Sequence, residues 1–299
     1  MSMNSVMFSI IVVCLNAGDE LNKTVESVLC QTCRDYEIIV KDGGSSDGSI
    51  QKLPEDERIR LVQDKDTGIY DAMNQASRDI RGRYVIYLNC GDYFASDNVL
   101  EELKWEMCPA GEVTAADDMS SVADLNQTRE MCQPGEDESR VYIYYGDIIE
   151  RKTGSCVSSN PSLDEFALYR NIPCHQACFY DSSLIKMDGT DRAYVYDTSL
   201  PVRADYDHFL WCIYVKKAVP KYVPITVCSY EGGGFSETKE NARKAAKEHK
   251  LITAKYMPKA SLTKYKMIMI LTLQPIRAKL AGSKTFAKMY QGLKSKLYS

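Results

Sequence analysis

The chain has 299 residues, 44% of them hydrophobic and 26% charged, with a formal net charge of −4. Enough apolar surface is present to offset the entropy of ordering the backbone, which excludes a disordered, collagen-like or coiled-coil chain and fits one large α/β domain or two smaller ones. The mild total hides an asymmetry: residues 239–299 hold 15 Lys+Arg against 2 Asp+Glu, net +13, while the remaining 238 residues hold 22 against 39, net −17.

Phe8 to Leu15 (FSIIVVCL) is a continuous, β-rich apolar run, the mark of a strand covered on both faces. The stretch Met7 to Leu15 is too short to span a bilayer and lacks a basic flank and a cleavage site, so no export signal is read there. After the loop Asn16 to Asp19, Leu21, Val25, Val28 and Leu29 recur at helical spacing. Cys30 and Cys33 read as small packing residues, because no second pair follows at zinc-finger spacing. Eleven cysteines, an odd count in a chain long enough to need no staples, point to a reducing compartment. Tyr36 to Val40, Ile59 to Val62 and Tyr84 to Leu88 are three further strands, with a helix over Ile69 to Ile80 that turns Ile69, Met73, Ala76 and Ile80 to one side.

Alternating β and α elements predict a parallel sheet flanked by helices, with ligands beyond the carboxyl ends of its strands. Residues 109–140, acidic with two Pro and two Gly, read as an inserted surface loop. Val141 to Ile149, Gln176 to Tyr180 and Tyr222 to Tyr230 resume strand character, and Asp205 to Val215 reads as a helix with an acidic first turn. Glu237 to Tyr256 and Ser261 to Leu297 are helical in pattern, interrupted by Pro258 and Pro275. The division this suggests is a main α/β domain over 1–238 and a basic helical extension over 239–299.

The strand-end rule singles out polar residues. Asp42 opens Asp42-Gly43-Gly44-Ser45, a turn whose amides can approach a ligand while the carboxylate accepts from a ring N–H or a ribose hydroxyl. Asp47, further along, reads as a helix cap. Asp66 sits at the next strand end; Asp71 and Asn74, three apart on a helix face, put polar groups where packing would prefer none. Asn89-Cys90-Gly91-Asp92 ends the fourth strand, where one hard carboxylate can reach a divalent cation held mainly by a ligand's phosphates. Loop one, CLNAGDEL, supplies neither a dinucleotide fingerprint nor the basic Gly-rich loop a sugar-nucleotide pyrophosphorylase needs.

The ordered series SIIVVCLNAGDELNKTVESVLCQT, YEIIVKDGGSSDGS, DKDTGIYDAMNQA, YVIYLNCGD, CHQACFY and RADYDHFLW resembles the inverting family 2 glycosyltransferases of GT-A fold, particularly those that build bacterial surface polysaccharides. The resemblance implies an α/β GT-A fold with a mostly parallel sheet, a nucleotide-diphosphate-sugar donor and a hydroxyl acceptor. It implies donor contacts from Asn16, Asp42, Asp66, Asn74 and Gly91, and Mg²⁺ or Mn²⁺ on Asp92; Asn89 and Gly91 stand where the stricter metal motif has aspartates. Asp205 matches the family's general base, Ala204 replacing the preceding glutamate; Asp207 is the second choice, and His175 and Asn89 are accessory candidates. The loop Glu231 to Ser236 reads equally as one that closes over a diphosphate through its backbone amides and as a plain strand-to-helix connector.

Met267 to Leu273 is apolar, but too short to cross a bilayer, and is flanked by Lys264, Lys266, Arg277 and Lys279. With Tyr265, Phe286, Lys288, Tyr290 and Lys294 it suits a helix lying on anionic lipid, which would place the enzyme in the cytoplasm at the inner membrane face beside a lipid-linked glycan acceptor. The acidic body argues against nucleic acid. The rival from another class is a noncatalytic nucleotide-sugar-binding or scaffold protein at the membrane.

Overall fold

The computed structural model describes residues 6–107, 140–186, 193–231 and 238–272. The expected inserted loop, most of the Glu231 to Ser236 loop and the end of the extension lie outside the described residues.

The strands are β1 (Phe8–Cys14), β2 (Tyr36–Asp42), β3 (Ile59–Gln63), β4 (Tyr84–Tyr87), β5 (Tyr93–Phe94), β6 (Tyr142–Glu150), β7 (Ser155–Val157), β8 (Cys178–Asp181) and β9 (Val219–Tyr230). The helices are α1 (Glu20–Leu29), α2 (Ile69–Ala76), α3 (Val99–Met107), α4 (Glu165–Arg170), α5 (Ala204–Tyr214), α6 (Lys239–Tyr256) and α7 (Lys259–Leu271). Every residue of β1 and β2 is buried, as their unbroken apolar runs require, while β3 at the sheet's edge is partly open.

The sheet order is β3-β2-β1-β4-β8-β6-β9-β5, with β7 on β6. The first four strands are parallel, in the register Phe8↔Tyr36 and Phe8↔Tyr84. Beyond β4 the sheet is mixed, antiparallel at β4–β8, β6–β8, β6–β7 and β5–β9 and parallel at β6–β9, so the parallel half expected from the sequence is joined to a mixed half. Because β2 and β3 lie on one side of β1 and β4 on the other, the order of strand addition reverses at β1 while the strands stay parallel, and at such a point α/β sheets take ligands beyond the carboxyl ends of their strands.

Several elements differ from expectation. α2 ends at Ala76 in a 3₁₀ turn over Ser77–Asp79, and Ile69 is 40% exposed, with Ala72, Met73 and Ala76 buried instead. A 3₁₀ turn over His175–Ala177 replaces the start of the strand expected from Gln176. β9 begins earlier than expected despite Pro220 and Pro224, since β5 covers only Cys228 and Ser229 and leaves the proline segment open on that side. β5, β7, α3 and α4 are elements that the sequence reading above does not predict.

The chain forms two compact units, Met1–His249 and Lys250–Ser299. The boundary between these units falls inside α6, just after Glu248 and His249, which are bonded to Val202, Arg203 and Tyr169. In the second unit α7 exposes Met267, Ile270 and Leu271, spaced three and four apart. No helix among the described residues is long and apolar enough to cross a membrane.

Candidate active site

The loops after β1 and β2 are stitched together. Asn16, at φ 50°, accepts from Ser46 N through Oδ1 (2.9 Å), and its own N–H donates to Ser45 Oγ (2.8 Å). Asp47 accepts from Gly18 N (2.8 Å), Ser49 N and Ser49 Oγ, so it ties two loops together and caps no α-helix; these bonds, from Ser49 first, hold its carboxyl down at about 2.

Asp42 is fully buried and accepts from Ser45 N (2.9 Å), Ser45 Oγ (2.6 Å) and Gln63 Nε2 (3.1 Å). Burial alone would raise this carboxyl, but the Ser45 and Gln63 bonds outweigh burial and hold it below the usual range. Beside it Lys41, also fully buried, spends its three protons on Asp42 O (3.1 Å), Asp64 O (2.6 Å) and Asp66 Oδ2 (3.1 Å). Asp66 in turn accepts from Gly68 N (3.1 Å), at the entry to α2. Gly43 is glycine because a Cβ there would lie 2.6 Å from Asp66 Oδ2.

Two residues into α2, Tyr70 reaches a second cluster. Its hydroxyl lies 3.0 Å from Asp205 Oδ1 and 3.1 Å from the Val202 carbonyl. His175 Nδ1 stands 3.8 Å from Asp205 Oδ2, and its Nε2 is 3.0 Å from Asn89 Nδ2. Burial holds the His175 imidazole below its ordinary range, hence neutral, and the Asp205 carboxylate favours the proton on Nδ1, so Nε2 accepts from Asn89. That leaves Asn89 Oδ1 a buried acceptor with no partner among the described residues. Asp205 therefore does not cap its own helix: Arg203 is the N-cap, and the carboxylate, 23% exposed, is held from outside. Asp207, two residues on, is fully buried.

Asp92 follows β4. Oδ2 accepts from Gln176 Nε2 (3.0 Å), and Oδ1 has no hydrogen bond among the described residues. Burial, with Asp92 only 8% exposed, raises this carboxyl to about 6. Gly91 adopts φ 93°, a conformation an aspartate would resist, while its N–H donates to Thr24 Oγ1 (2.8 Å) and its carbonyl accepts from Arg151 Nη2 (2.6 Å). Arg151 also lies over the Tyr93 ring at 4.3 Å. No group of three His, Cys, Asp or Glu side chains converges among the described residues. One desolvated carboxylate with a free oxygen fits a cation shared with a ligand's phosphates, not a self-sufficient metal cage.

The residues expected from the sequence thus lie along connected contacts: Asp42 to Lys41 to Asp66, then through the start of α2 to Tyr70, Asp205, His175 and Asn89, with Gln176 next to His175 holding Asp92. Asn74 is the exception in kind, since both atoms of its amide bond the backbone of Tyr196, at 2.8 Å each. Sequence reading missed Tyr70, Gln63, Gln176 and Arg151; of these Tyr70 lay in the quoted block DKDTGIYDAMNQA and Gln176 in the block beside His175.

The family model for glycosyl transferase family 2 matches residues 9–134. A PGL/p-HBAD biosynthesis glycosyltransferase of Mycobacterium tuberculosis is 32% identical over 238 residues, covering 78% of this chain and 80% of that protein. A UDP-Glc:α-D-GlcNAc-diphosphoundecaprenol β-1,3-glucosyltransferase of Escherichia coli is 31% identical over 100 residues, 32% of this chain and 40% of that enzyme. Among solved structures, the Pyrobaculum calidifontis mannosyltransferase in complex with GDP-Man and Mn²⁺ superposes with a TM-score of 0.53 at 14% identity, covering 96% of this chain and 84% of that one. Residues 1–349 of TarS from S. aureus, in complex with UDP, give 0.54 at 13% identity, covering 85% and 68%. At these identities the two structures speak to the fold alone, which is GT-A.

Proposed function

The chain belongs to glycosyltransferase family 2, and from that membership we propose that it moves a sugar from a nucleotide-diphosphate donor to a hydroxyl of a surface glycan or glycolipid, inverting the anomeric centre, with Asp205 as general base. Membership sets aside the scaffold reading. The observation that carries the assignment of the base is the setting of Asp205: a partly exposed carboxylate at the strand-end crevice, fixed by Tyr70 at 3.0 Å and faced by a neutral His175. Asp207 has no exposed surface for an incoming hydroxyl to meet.

In this reading Asp66 meets the base and ribose of the nucleotide, while Asp42, which has no exposed surface of its own, fixes the Ser45 turn and Gln63 around them, and Asn16 and Gly91 shape the loops around the donor. Tyr70 and His175 orient the carboxylate so that an oxygen faces the acceptor. As the acceptor oxygen attacks the anomeric carbon, its proton passes to Asp205 and the bond to the diphosphate breaks. Asp92 would hold Mg²⁺ or Mn²⁺ together with the donor's diphosphate, and such a cation would neutralise the charge gathering on that leaving group. Asn74, pinning Tyr196, supports the wall of the site rather than the donor. The basic extension, with its exposed Met267, Ile270 and Leu271, would hold the chain at an anionic membrane surface, where a lipid-linked acceptor would be found.

The test is Asp205→Asn. Nucleoside diphosphate release and sugar transfer should fall about 10²–10⁴-fold, with UDP or GDP affinity unchanged by calorimetry. Full transfer by this variant would end the assignment.

A further inference from the structure

We propose that Glu248, far along the basic extension in α6, is a positioning residue for Asp205, with His249 as its partner. This rests on the reading of Asp205 as the base. The first turn of a helix leaves backbone N–H groups without partners, and α5 has no side-chain cap of its own. Glu248 holds the entry to the helix from outside: Oε2 accepts from the N–H of the N-cap Arg203 (2.7 Å) and of Val202 just before it (3.1 Å), and the residue is 7% exposed. A carboxylate there also complements the positive end of the helix dipole.

The contact continues to the reacting group. Val202, whose N–H Glu248 holds, offers its carbonyl to the Tyr70 hydroxyl, and that hydroxyl also reaches Asp205 Oδ1. Tyr70 has a single proton for these two acceptors. The placement of the Val202 peptide therefore decides how firmly Tyr70 holds the carboxylate. His249 fixes the far side of the same turn. Its Nε2–H donates to the Tyr169 carbonyl (2.7 Å), and its ring stacks on Tyr206, the neighbour of Asp205, at 5.3 Å and 14°. The Tyr206 hydroxyl in turn donates to the Leu168 carbonyl (2.7 Å), tying α5 to α4. The first helix of the extension is thus part of the framework that aims the base.

The test compares Glu248→Ala, Glu248→Gln, Asp205→Asn and the Glu248→Ala/Asp205→Asn double variant, with the exposed Lys247→Ala as control. Turnover is read as nucleoside diphosphate release from UDP-glucose, UDP-GlcNAc and GDP-mannose, binding as UDP or GDP affinity, and local order as amide hydrogen exchange over residues 202–207. Glu248→Ala should lower kcat about 10–100-fold with nucleotide affinity within about twofold. In the Asp205→Asn background the same change should cost less than about threefold, a non-additivity that a purely structural defect would not produce. Glu248→Gln, whose amide oxygen can accept both N–H groups, should recover most of the loss, and Lys247→Ala should behave as wild type. Exchange should quicken at 202–207 in Glu248→Ala and stay unchanged in β1 and β2. Unchanged exchange at 202–207, or wild-type turnover in Glu248→Ala while Asp205→Asn is inactive, overturns the positioning role and leaves the base assignment standing. Retained turnover in Asp205→Asn removes the base assignment itself.

Discussion

Asp92 carries a conflict that pH can expose. In the unfolded chain its carboxyl titrates near 3.8, and burial in the folded protein raises it to about 6. Between those values the folded state keeps a proton that the unfolded state has lost. The contribution to stability is therefore fully present below about 3.8 and is lost as pH rises through about 6. At pH 8 the protein without a bound cation carries a poorly solvated charge, relieved among the described residues by Gln176 and the Arg151 guanidinium. Asp92→Asn should stabilise it there by about 1–3 kcal/mol and change little at pH 4. Denaturant unfolding in chelator at the two pH values measures this. Mn²⁺ added together with UDP or GDP should stabilise the wild type at pH 8 more than the nucleotide alone does and give Asp92→Asn no such increment, since only the wild type offers the shared cation a carboxylate. Parallel pH profiles for the two proteins would mean that the buried charge has been misassigned.

At the scale of elements, the same chemistry of close approach does two different jobs at two glycines. A Cβ at Gly43 would lie 2.6 Å from a carboxylate oxygen of Asp66, and one at Gly82 would lie 2.4 Å from the backbone nitrogen of Ser9 in β1. A side chain can swing aside where a buried strand cannot. Gly43→Ala should therefore displace Asp66 from Lys41 and weaken UDP or GDP binding by the folded protein about tenfold, or about 1.4 kcal/mol, and should lower Tm as well, because the buried Lys41 keeps only its two carbonyl partners. Gly82→Ala should cost about 1–3 kcal/mol of stability and leave the nucleotide affinity of the folded fraction intact. Calorimetric titration beside thermal unfolding separates the two, and unaltered nucleotide affinity in Gly43→Ala would remove Asp66 from the donor site. These elements also mark how far the sequence could be read. Continuous apolar runs admit few structures besides buried parallel strands, so β1, β2 and β4 and the carboxylates at their ends were legible. Pairings such as Tyr70 with Asp205, 135 residues apart, or Gln176 with Asp92, 84 apart, leave no periodic trace. The short β5 and β7 owe their existence to partners distant in sequence, and α3 hid a legible pattern, its buried Val99, Leu100, Leu103 and Met107 at helical spacing, beside the acidic loop region.

Over the whole molecule the segregation of charge is the feature that local structure does not require. A net of +13 over residues 239–299 beside −17 in the rest is repelled and attracted by the same surface in different parts. Within the second unit, α7 exposes Lys259, Lys264 and Lys266 together with Met267, Ile270 and Leu271, a combination that gains from anionic headgroups and from the acyl boundary at once. Each basic group near an anionic surface is worth about 1 kcal/mol, and that attraction falls within a Debye length, about 8 Å at physiological salt. The full chain should therefore sediment with vesicles containing about one third phosphatidylglycerol, stay in the supernatant with pure phosphatidylcholine, and be largely released at about 1 M salt, where the Debye length shrinks to about 3 Å. Replacing Ile270 and Leu271 by Ser keeps every positive charge and removes apolar area, so it should weaken binding at physiological salt without touching turnover on a water-soluble acceptor. Equal binding to neutral and anionic vesicles would remove the electrostatic role of the extension, and wild-type binding by the Ser variant would remove the apolar one. If both contributions hold, tethering raises the local concentration of a lipid-linked acceptor with no new contact in the site, so the salt that frees the chain from vesicles should also slow transfer to such an acceptor more than transfer to a soluble one.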